Sequence, residues 1–322
     1  MLHISAEDIY RTLPMAECIE VVEKAMRELS RGTTLQPDRW IMPLGQGNAM
    51  GIMPGAMNSP AIHGVKLISL YPDNPARGLS SHQGVMVLFA SETGTPIAIL
   101  DASALTAQRT AAASAAATRA LARKDARVLA ILGSGEQAAH HLPGLLEVRS
   151  FEKVRVWSRT PAHARAFVDR HANIAPSLET RPSAREAVAG ADVIVTVTAS
   201  PEPILEGAWL EPGQHVSLVG ASVASAREMD IEGVARGRFF VDSSLAAASQ
   251  AGELLAAIHA GKVDKGHIVG EIGAVYDGHL DGRRTADEIT IYKSLGTAAQ
   301  DLATANEIWR LLASVQTPLR SA

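Results

Sequence analysis

Gly133, Gly135 and Ala138 fall in the spacing G-x-G-x-x-A, directly after the bulky run Val128-Leu-Ala-Ile-Leu132. That run reads as a buried strand. An Ala- and Leu-rich helical pattern follows it to about Val148. Gly133 permits a tight turn off the strand, Gly135 lets a pyrophosphate approach the backbone, and Ala138 lets helix and strand pack closely. The helix N-terminus adds N–H donors and a positive dipole end. The spacing alone is a weak signal; the strand before it and the helix after it make it a dinucleotide site rather than a Gly-rich turn. Candidate cofactor contacts in this motif are Gly133, Ser134, Gly135, Glu136 and Gln137.

A second short strand, Val154-Arg-Val-Trp157, ends in Ser158-Arg159-Thr160. An acidic residue there would accept from the ribose 2′-hydroxyl and favour NAD. A cation flanked by two hydroxyls suits a 2′-phosphate instead. NADP(H) is therefore favoured; NAD(H) is the cofactor if Arg159 stacks on the adenine or lies in solvent. Further cations lie upstream. Arg39, Lys66 and Arg77, with His63 and His82, punctuate residues 38–101, and Arg109 and Thr110 open an Ala-rich helix. Cations can meet a carboxylate or phosphate, but each alone is as readily a salt-bridge or surface residue.

The elements that must position these groups follow from periodicity. Residues 5–31 read as two helices, the first capped by Ser5 with Asp8 three residues on. Residues 38–101 change to strands at Trp40–Met42, Ala49–Met53, Val65–Leu70, Gly84–Phe89 and Pro96–Leu100, with a hairpin turn at Ser91–Gly94. A mostly antiparallel sheet is expected there, as a substrate domain. The helix 102–124 should bridge to the nucleotide domain and place Arg109 and Thr110 near a cleft. Helices are expected at Pro161–His171, Ala184–Ala189 and Ala246–His259, and strands at 192–198 and His215–Val219, with Phe239–Ser243 as the last strand. The carboxyl ends of these strands put Thr196, Val197, Thr198, Val219 and Gly220 where ligands bind. Thr290–Gly296 is read as a lead into a final helix, Thr297–Leu312, and the tail after Gln316 as loose. The fold class is α/β, with a substrate domain over 1–113 completed by 298–322, and a Rossmann domain over 114–297.

Composition excludes several classes. A net charge of −4 without blocks of like charge argues against nucleic acid and anionic membrane partners. Cys18 is the single cysteine, so no intramolecular disulfide and no Cys-based metal set is possible. No basic region with an apolar run opens the chain, and no apolar run reaches the ~18 residues of a membrane span. A cytoplasmic protein is expected. His267 and Glu271 sit four apart without a third ligand, so no metal is expected.

The chain resembles the ornithine cyclodeaminase/mu-crystallin family over nearly its whole length. The resemblance is carried jointly by Gly64-Val-Lys66, Ser81-His-Gln83, Leu105-Thr-Ala-Gln-Arg109-Thr-Ala-Ala112, the Gly133 motif, Ala191-Asp-Val-Ile194 and Lys293-Ser-Leu-Gly296. Val156-Trp-Ser-Arg-Thr160 resembles the mu-crystallin branch, which implies NADP phosphate binding at those positions. The family implies a homodimer whose α/β domain serves substrate binding and dimerisation. By similarity Arg39 and Arg109 hold the substrate carboxylate, Lys66 sits beside the reacting carbon or nitrogen, Thr110 touches the cofactor phosphates, and Ser222 and Ser294 join the substrate and cofactor sites respectively. Where cyclodeaminases carry acidic residues this chain has Ser222 and Met53. Both departures argue against ornithine cyclodeamination.

What they leave is hydride reduction of a C=N bond beside a carboxylate. Lys66 or His82 would supply or retain the imine proton, with Lys66 favoured because desolvation and nearby arginines lower its pKa. Arg109 joins them as a candidate catalytic residue. Glu271, Asp287 and Asp301 are acids of which one could orient Lys66 or the nicotinamide amide; His140 and His141 read as structural. The leading expectation is reduction of a cyclic ketimine such as pyrroline-2-carboxylate or piperideine-2-carboxylate. The alternatives are an NAD(H)-dependent amino-acid dehydrogenase or linear-imine reductase, acting on alanine, aspartate/iminosuccinate or N-alkyl amino acids, and a non-catalytic, crystallin-like NADPH-binding protein.

Overall fold

Ser5 closes a capping box: its hydroxyl accepts from the Asp8 N–H at 3.2 Å while Asp8 accepts from the Ser5 N–H at 3.1 Å. This starts the first helix of a computed structural model that describes residues 1–175 and 177–316. The chain forms two compact units, Met1–Arg109 with the segment from Thr297 onward, and Thr110–Gly296.

The first unit opens with β1 (Leu2–Ile4), α1 (Ala6–Thr12) and α2 (Met15–Ser30). The strands β2 (Thr34–Leu35), β3 (Trp40–Gly45), β4 (Asn48–Asn58), β5 (Ala61–Leu70), β6 (His82–Ala90) and β7 (Pro96–Asp101) follow. They make one sheet in the order β1-β7-β6-β5-β4-β2, with β3 also on β4. All pairs are antiparallel except β1 with β7. The three-residue β1 was too short to carry a period and is an addition to the expected elements. The predicted hairpin turn at Ser91–Gly94 joins β6 to β7, with Gly94 at φ 69°.

Alternation along β5 buries Ile62, Gly64, Lys66 and Ile68 on one face. A helix over Ala298–Gln316, four residues longer than expected at its C-terminal end, packs on that face. Glycines permit the close approach. Gly55 and Gly64 are cross-strand partners, and a Cβ on either would lie 3.1 Å from Leu302 of this last helix. The other face of the sheet carries Trp40, Ile52, Val65, Leu67, Val85, Val87 and Ile99, all half-buried or exposed.

In α3 (Ala102–Leu121) residues up to Arg109 belong to the first unit and the rest to the second. The second unit continues with β8 (Val128–Leu132), α4 (Glu136–Val148), β9 (Lys153–Trp157), α5 (Pro161–His171), β10 (Leu178–Thr180), α6 (Ala184–Val188), β11 (Val193–Thr196) and β12 (His215–Leu218). Then come α7 (Ile231–Arg236), β13 (Arg238–Val241), α8 (Ser244–Gln250), α9 (Gly252–His259), β14 (Ile268–Glu271), α10 (Ile272–Tyr276) and β15 (Thr290–Lys293). The sheet order is β10-β9-β8-β11-β12-β15-β13-β14, every pairing parallel. The order reverses beside β8, the switch-point arrangement of a Rossmann fold.

Three expectations are corrected here. Phe239–Ser243 is not the last strand, because β14 and β15 follow and β15 inserts between β12 and β13. Its sequence Thr-Ile-Tyr-Lys reads as a polar lead-in, yet all four residues are buried, the ends satisfied by side-chain partners: Thr290 by Arg283 and the Leu121 carbonyl, Lys293 by Glu253. The single helix expected over Ala246–His259 is two, meeting at Ala251, where a Cβ on Gly252 would strike the Ala226 carbonyl at 2.0 Å. The bridging helix stops at Leu121. The expected loose tail after Gln316 lies outside the described residues.

Candidate active site

Lys66 is a charged residue at a core position of β5, 1 % exposed. Its ammonium lies 2.7 Å from Asp301 Oδ2 and 3.3 Å from the Thr106 hydroxyl. Arg109, also buried, donates from Nε to Asp301 Oδ1 at 2.8 Å and from Nη1 to Gln300 Oε1 at 3.0 Å. Gln300 is in turn held by the Met26 sulfur at 3.1 Å. One carboxylate thus bridges two cations in a water-excluded place, with a net charge of +1. The close seating of the last helix over Gly55 and Gly64 brings Asp301 down to the sheet.

Charge and burial set the protonation states. Burial pushes the Lys66 ammonium down to about 8; Asp301 opposes that, and the positive charges of Arg109 and Arg39 add to it. Burial alone would raise the Asp301 carboxyl, but Arg109 and Lys66 outweigh it and hold it below the usual carboxylate range. His82 opens β6 two inward positions before Met86, which pairs with Lys66. His82 is exposed at its edge, yet partial desolvation of its ring and the Lys66 charge hold its imidazole below its ordinary value, and its Nδ1 is 2.9 Å from the Ser81 hydroxyl. Arg39 directly precedes β3, and Met53 pairs with Lys66 across β4 and β5. The first unit therefore assembles Arg39, Lys66, His82 and Arg109 in one electrostatic neighbourhood.

Of the three acids considered, Asp301 meets Lys66. Glu271 instead accepts from the Ser244 N–H at the start of α8 at 2.8 Å, and the Asp287 carbonyl accepts from the Gly213 N–H at 3.0 Å. Thr106 and Gln300 were not anticipated. Thr106 stands three positions before Arg109 on one face of α3, a spacing that signals a shared face; Gln300 adjoins Asp301 and has no comparable signal.

The second unit holds the other candidates. Gly133 has φ 131°, and a Cβ there would lie 2.8 Å from the Val197 carbonyl. Gly135 is the N-cap of α4 without a side-chain cap, and the space beside its Cα is open. A bare helix N-terminus, approachable through an uncovered glycine, fits a pyrophosphate. Ser134, Glu136 and Gln137 flank it. Ser158, Arg159 and Thr160 follow β9, Arg159 and Thr160 exposed. The strand expected over 192–198 is shorter: Thr196 ends β11 and Val197 and Thr198 lie just beyond it, while Val219, Gly220 and Ser222 follow β12, Ser294 follows β15, and Thr110 is buried in α3. His141 is a structural tie, its ring between the Gln137 carbonyl at 2.7 Å and the Ser114 hydroxyl at 3.0 Å.

The model of the ornithine cyclodeaminase/mu-crystallin family matches residues 2–314. The chain belongs to that family. It is 34 % identical over 311 residues to the ketimine reductase mu-crystallin of Mus musculus, covering 95 % of this chain and 96 % of the relative. Among solved structures, the Thermococcus litoralis Δ1-pyrroline-2-carboxylate reductase in complex with NADH and L-proline superposes with a TM-score of 0.95 at 34 % identity, over 99 % of this chain and 100 % of that one. An archaeal alanine dehydrogenase dimer with bound NAD gives 0.92 at 30 % identity, over 99 % and 98 %. The family motifs Gly64-Val-Lys66 and Leu105–Ala112 supply three members of the buried cluster: Lys66, Thr106 and Arg109.

Proposed function

We propose that this protein reduces the C=N bond of an α-imino acid, a cyclic ketimine such as pyrroline-2-carboxylate or piperideine-2-carboxylate, with a pyridine nucleotide as reductant. The observation that carries the reading is the buried, net positive Lys66–Asp301–Arg109 set with Arg39 in its field. Such a site attracts an anion, and Arg39 and Arg109 hold a carboxylate by charge-assisted hydrogen bonds. A fixed carboxylate fixes the adjacent imine carbon, which is where much of the rate arises. Lys66, poised near 8, keeps a proton at the imine nitrogen, because an iminium accepts hydride far more readily than a neutral imine. Asp301 holds the Lys66 ammonium and Arg109 in place. His82 is a second proton-handling group of the same face.

Gly133 to Gln137, Ser158 to Thr160, Thr196 to Thr198, Val219, Gly220, Thr110 and Ser294 are proposed to hold the nucleotide. Its reduced nicotinamide supplies the hydride when bound. NADPH is proposed as the preferred form because Arg159 occupies the position that selects the ribose substituent; the solved relatives named above hold NADH and NAD. The open apolar face of the first unit's sheet supports a homodimer in which that face is covered. Among the described residues no helix is long and apolar enough to cross a membrane, and a single buried thiol, Cys18, suits the cytoplasm.

The test is loss of nicotinamide absorbance with pyrroline-2-carboxylate, NADPH and NADH run side by side without ammonia. Rapid oxidation establishes ketimine reduction, and the ratio of rates reports on Arg159. Activity that appears only with an oxo acid and ammonia or an amine would replace the proposal with the dehydrogenase or linear-imine reading. Tight NADPH binding without any turnover would leave the crystallin-like reading.

A further inference from the structure

A second buried polar cluster lies in the Rossmann unit, around Glu228, which no motif singled out. Glu228, 0 % exposed, sits in the segment between β12 and α7 and receives four donors. Its Oε1 accepts from the Thr198 N–H and the Thr198 hydroxyl, both at 2.7 Å. Its Oε2 accepts from the Thr196 hydroxyl at 2.7 Å and from the Gly220 N–H at 2.6 Å. Each oxygen therefore takes one backbone N–H and one hydroxyl. The Glu228 N–H donates to Glu253 Oε1 at 3.0 Å, and Glu253 Oε2 lies 3.0 Å from Lys293, which also donates to the Ala221 carbonyl. Gly220 completes the join: a Cβ there would lie 2.0 Å from the Thr198 carbonyl and 2.6 Å from Glu228 Oε1.

The carboxylate thus ties the carboxyl end of β11 to that of β12. In sheet order the end of β9 lies on one side of β8, and β11 and β12 lie on the other. A dinucleotide whose pyrophosphate sits at the β8–α4 turn, with its adenosine ribose at β9, has its nicotinamide half over β11 and β12. We propose that Glu228 is a positioning residue for that half: it fixes the strand ends that bear Thr198, Val219 and Gly220, without touching the nucleotide. The proposal rests on the pyridine nucleotide reading given above.

The chemistry makes one variant diagnostic. Glu228→Gln keeps the shape, but an amide offers one acceptor oxygen and one NH2. Whichever way the amide turns, its NH2 faces a backbone N–H, of Thr198 or of Gly220. The hydroxyls can rotate to accept; the backbone donors cannot. One of the two ties must open.

Dissociation constants are measured for NADPH and NADH by nucleotide fluorescence, and for ADP-ribose and its 2′-phosphate by calorimetry, on wild type and Glu228→Gln. The expected result is a loss of about tenfold or more for the nicotinamide nucleotides, the effect of one buried donor left without an acceptor. The ADP-ribose fragments are expected to bind as in wild type. Amide exchange without nucleotide should quicken at Thr198 or Gly220. Equal weakening of fragments and full nucleotides would mean that Glu228 serves only the fold, and overturns the proposal; so does unchanged binding of all four. Wild type that binds none of them overturns the cofactor reading, and this proposal with it. If Glu228→Gln does not fold, Glu228→Asp keeps the charge but draws the carboxylate back by one methylene; it should weaken nicotinamide nucleotides selectively, while equal weakening of fragments and full nucleotides, or no loss at all, overturns the proposal.

Discussion

Each unit buries a lysine against a carboxylate, and the two clusters differ in their balance. In the first unit one carboxylate, Asp301, serves two cations, Lys66 and Arg109, leaving an excess positive charge. In the Rossmann unit one lysine, Lys293, stands against two carboxylates: it pairs with Glu253, and the excess negative charge on Glu228 is met by four hydrogen-bond donors of the chain itself. Burying an unbalanced charge is costly unless something completes it. An incoming carboxylate completes the first cluster, whereas the second is complete without a ligand. Excess buried charge that the chain leaves for a further partner thus marks a place for substrate, and excess charge saturated by the chain's own donors marks a frame.

The largest effect expected from this contrast is on turnover. Lys66→Ala should lower kcat by roughly a hundredfold to ten-thousandfold, the range of a lost proton-handling group, while nucleotide binding stays close to wild type. Asp301 keeps Arg109 in that variant, so the unit still folds. A kcat near wild type would move the proton to His82 or solvent. Lys293→Met should do the opposite. It leaves Glu253 buried without its cation and should cost about 3–5 kcal/mol of stability, read as a lowered denaturation midpoint. If Lys293→Met abolishes turnover at unchanged stability, the second cluster is not a frame and the contrast fails.

The parts legible in sequence were those with a local physical signature. The G-x-G-x-x-A turn, the alternation along β4 to β7 and the capping box at Ser5 all show in runs of a few residues. Lys66 is one of a few cations among the strands, and its role comes from the resemblance carried by Gly64-Val-Lys66. The role of Asp301 was not legible: it meets Lys66 across 235 positions of chain, through the seating of a helix over Gly55 and Gly64, and nothing nearby distinguishes it from Glu271 or Asp287. The Glu228 cluster was missed for the same reason, since its donors come from the ends of two other strands. β15 escaped because its polar ends are satisfied by partners distant in sequence.

The first cluster also predicts a pH dependence. Reduction needs Lys66 protonated, so kcat/KM for the imino acid should fall above about pH 8, and oxidation of the amino acid should rise over the same range. Asp301 attracts the ammonium and therefore holds its pKa up. Asp301→Asn removes that attraction, so the alkaline fall should move to lower pH in that variant. A limb that stays in place would detach it from Lys66.

The smallest effect expected concerns which nucleotide is used, and it lies outside both clusters. Arg159 follows β9 and is exposed, so its charge is screened and acts through direct hydrogen bonds to a phosphate. Those bonds exist only when the ribose carries a 2′-phosphate. Arg159→Asp should therefore weaken NADPH by roughly tenfold to a hundredfold, the scale of lost charge-assisted hydrogen bonds. NADH should be unchanged or modestly improved, since a carboxylate there can accept from the 2′-hydroxyl. Stability should not move, because no buried group loses a partner. The ratio of kcat/KM for the two nucleotides reads the shift directly. An unchanged ratio would mean that the cation lies in solvent, and that the chain reads the ribose through Ser158 and Thr160 or not at all.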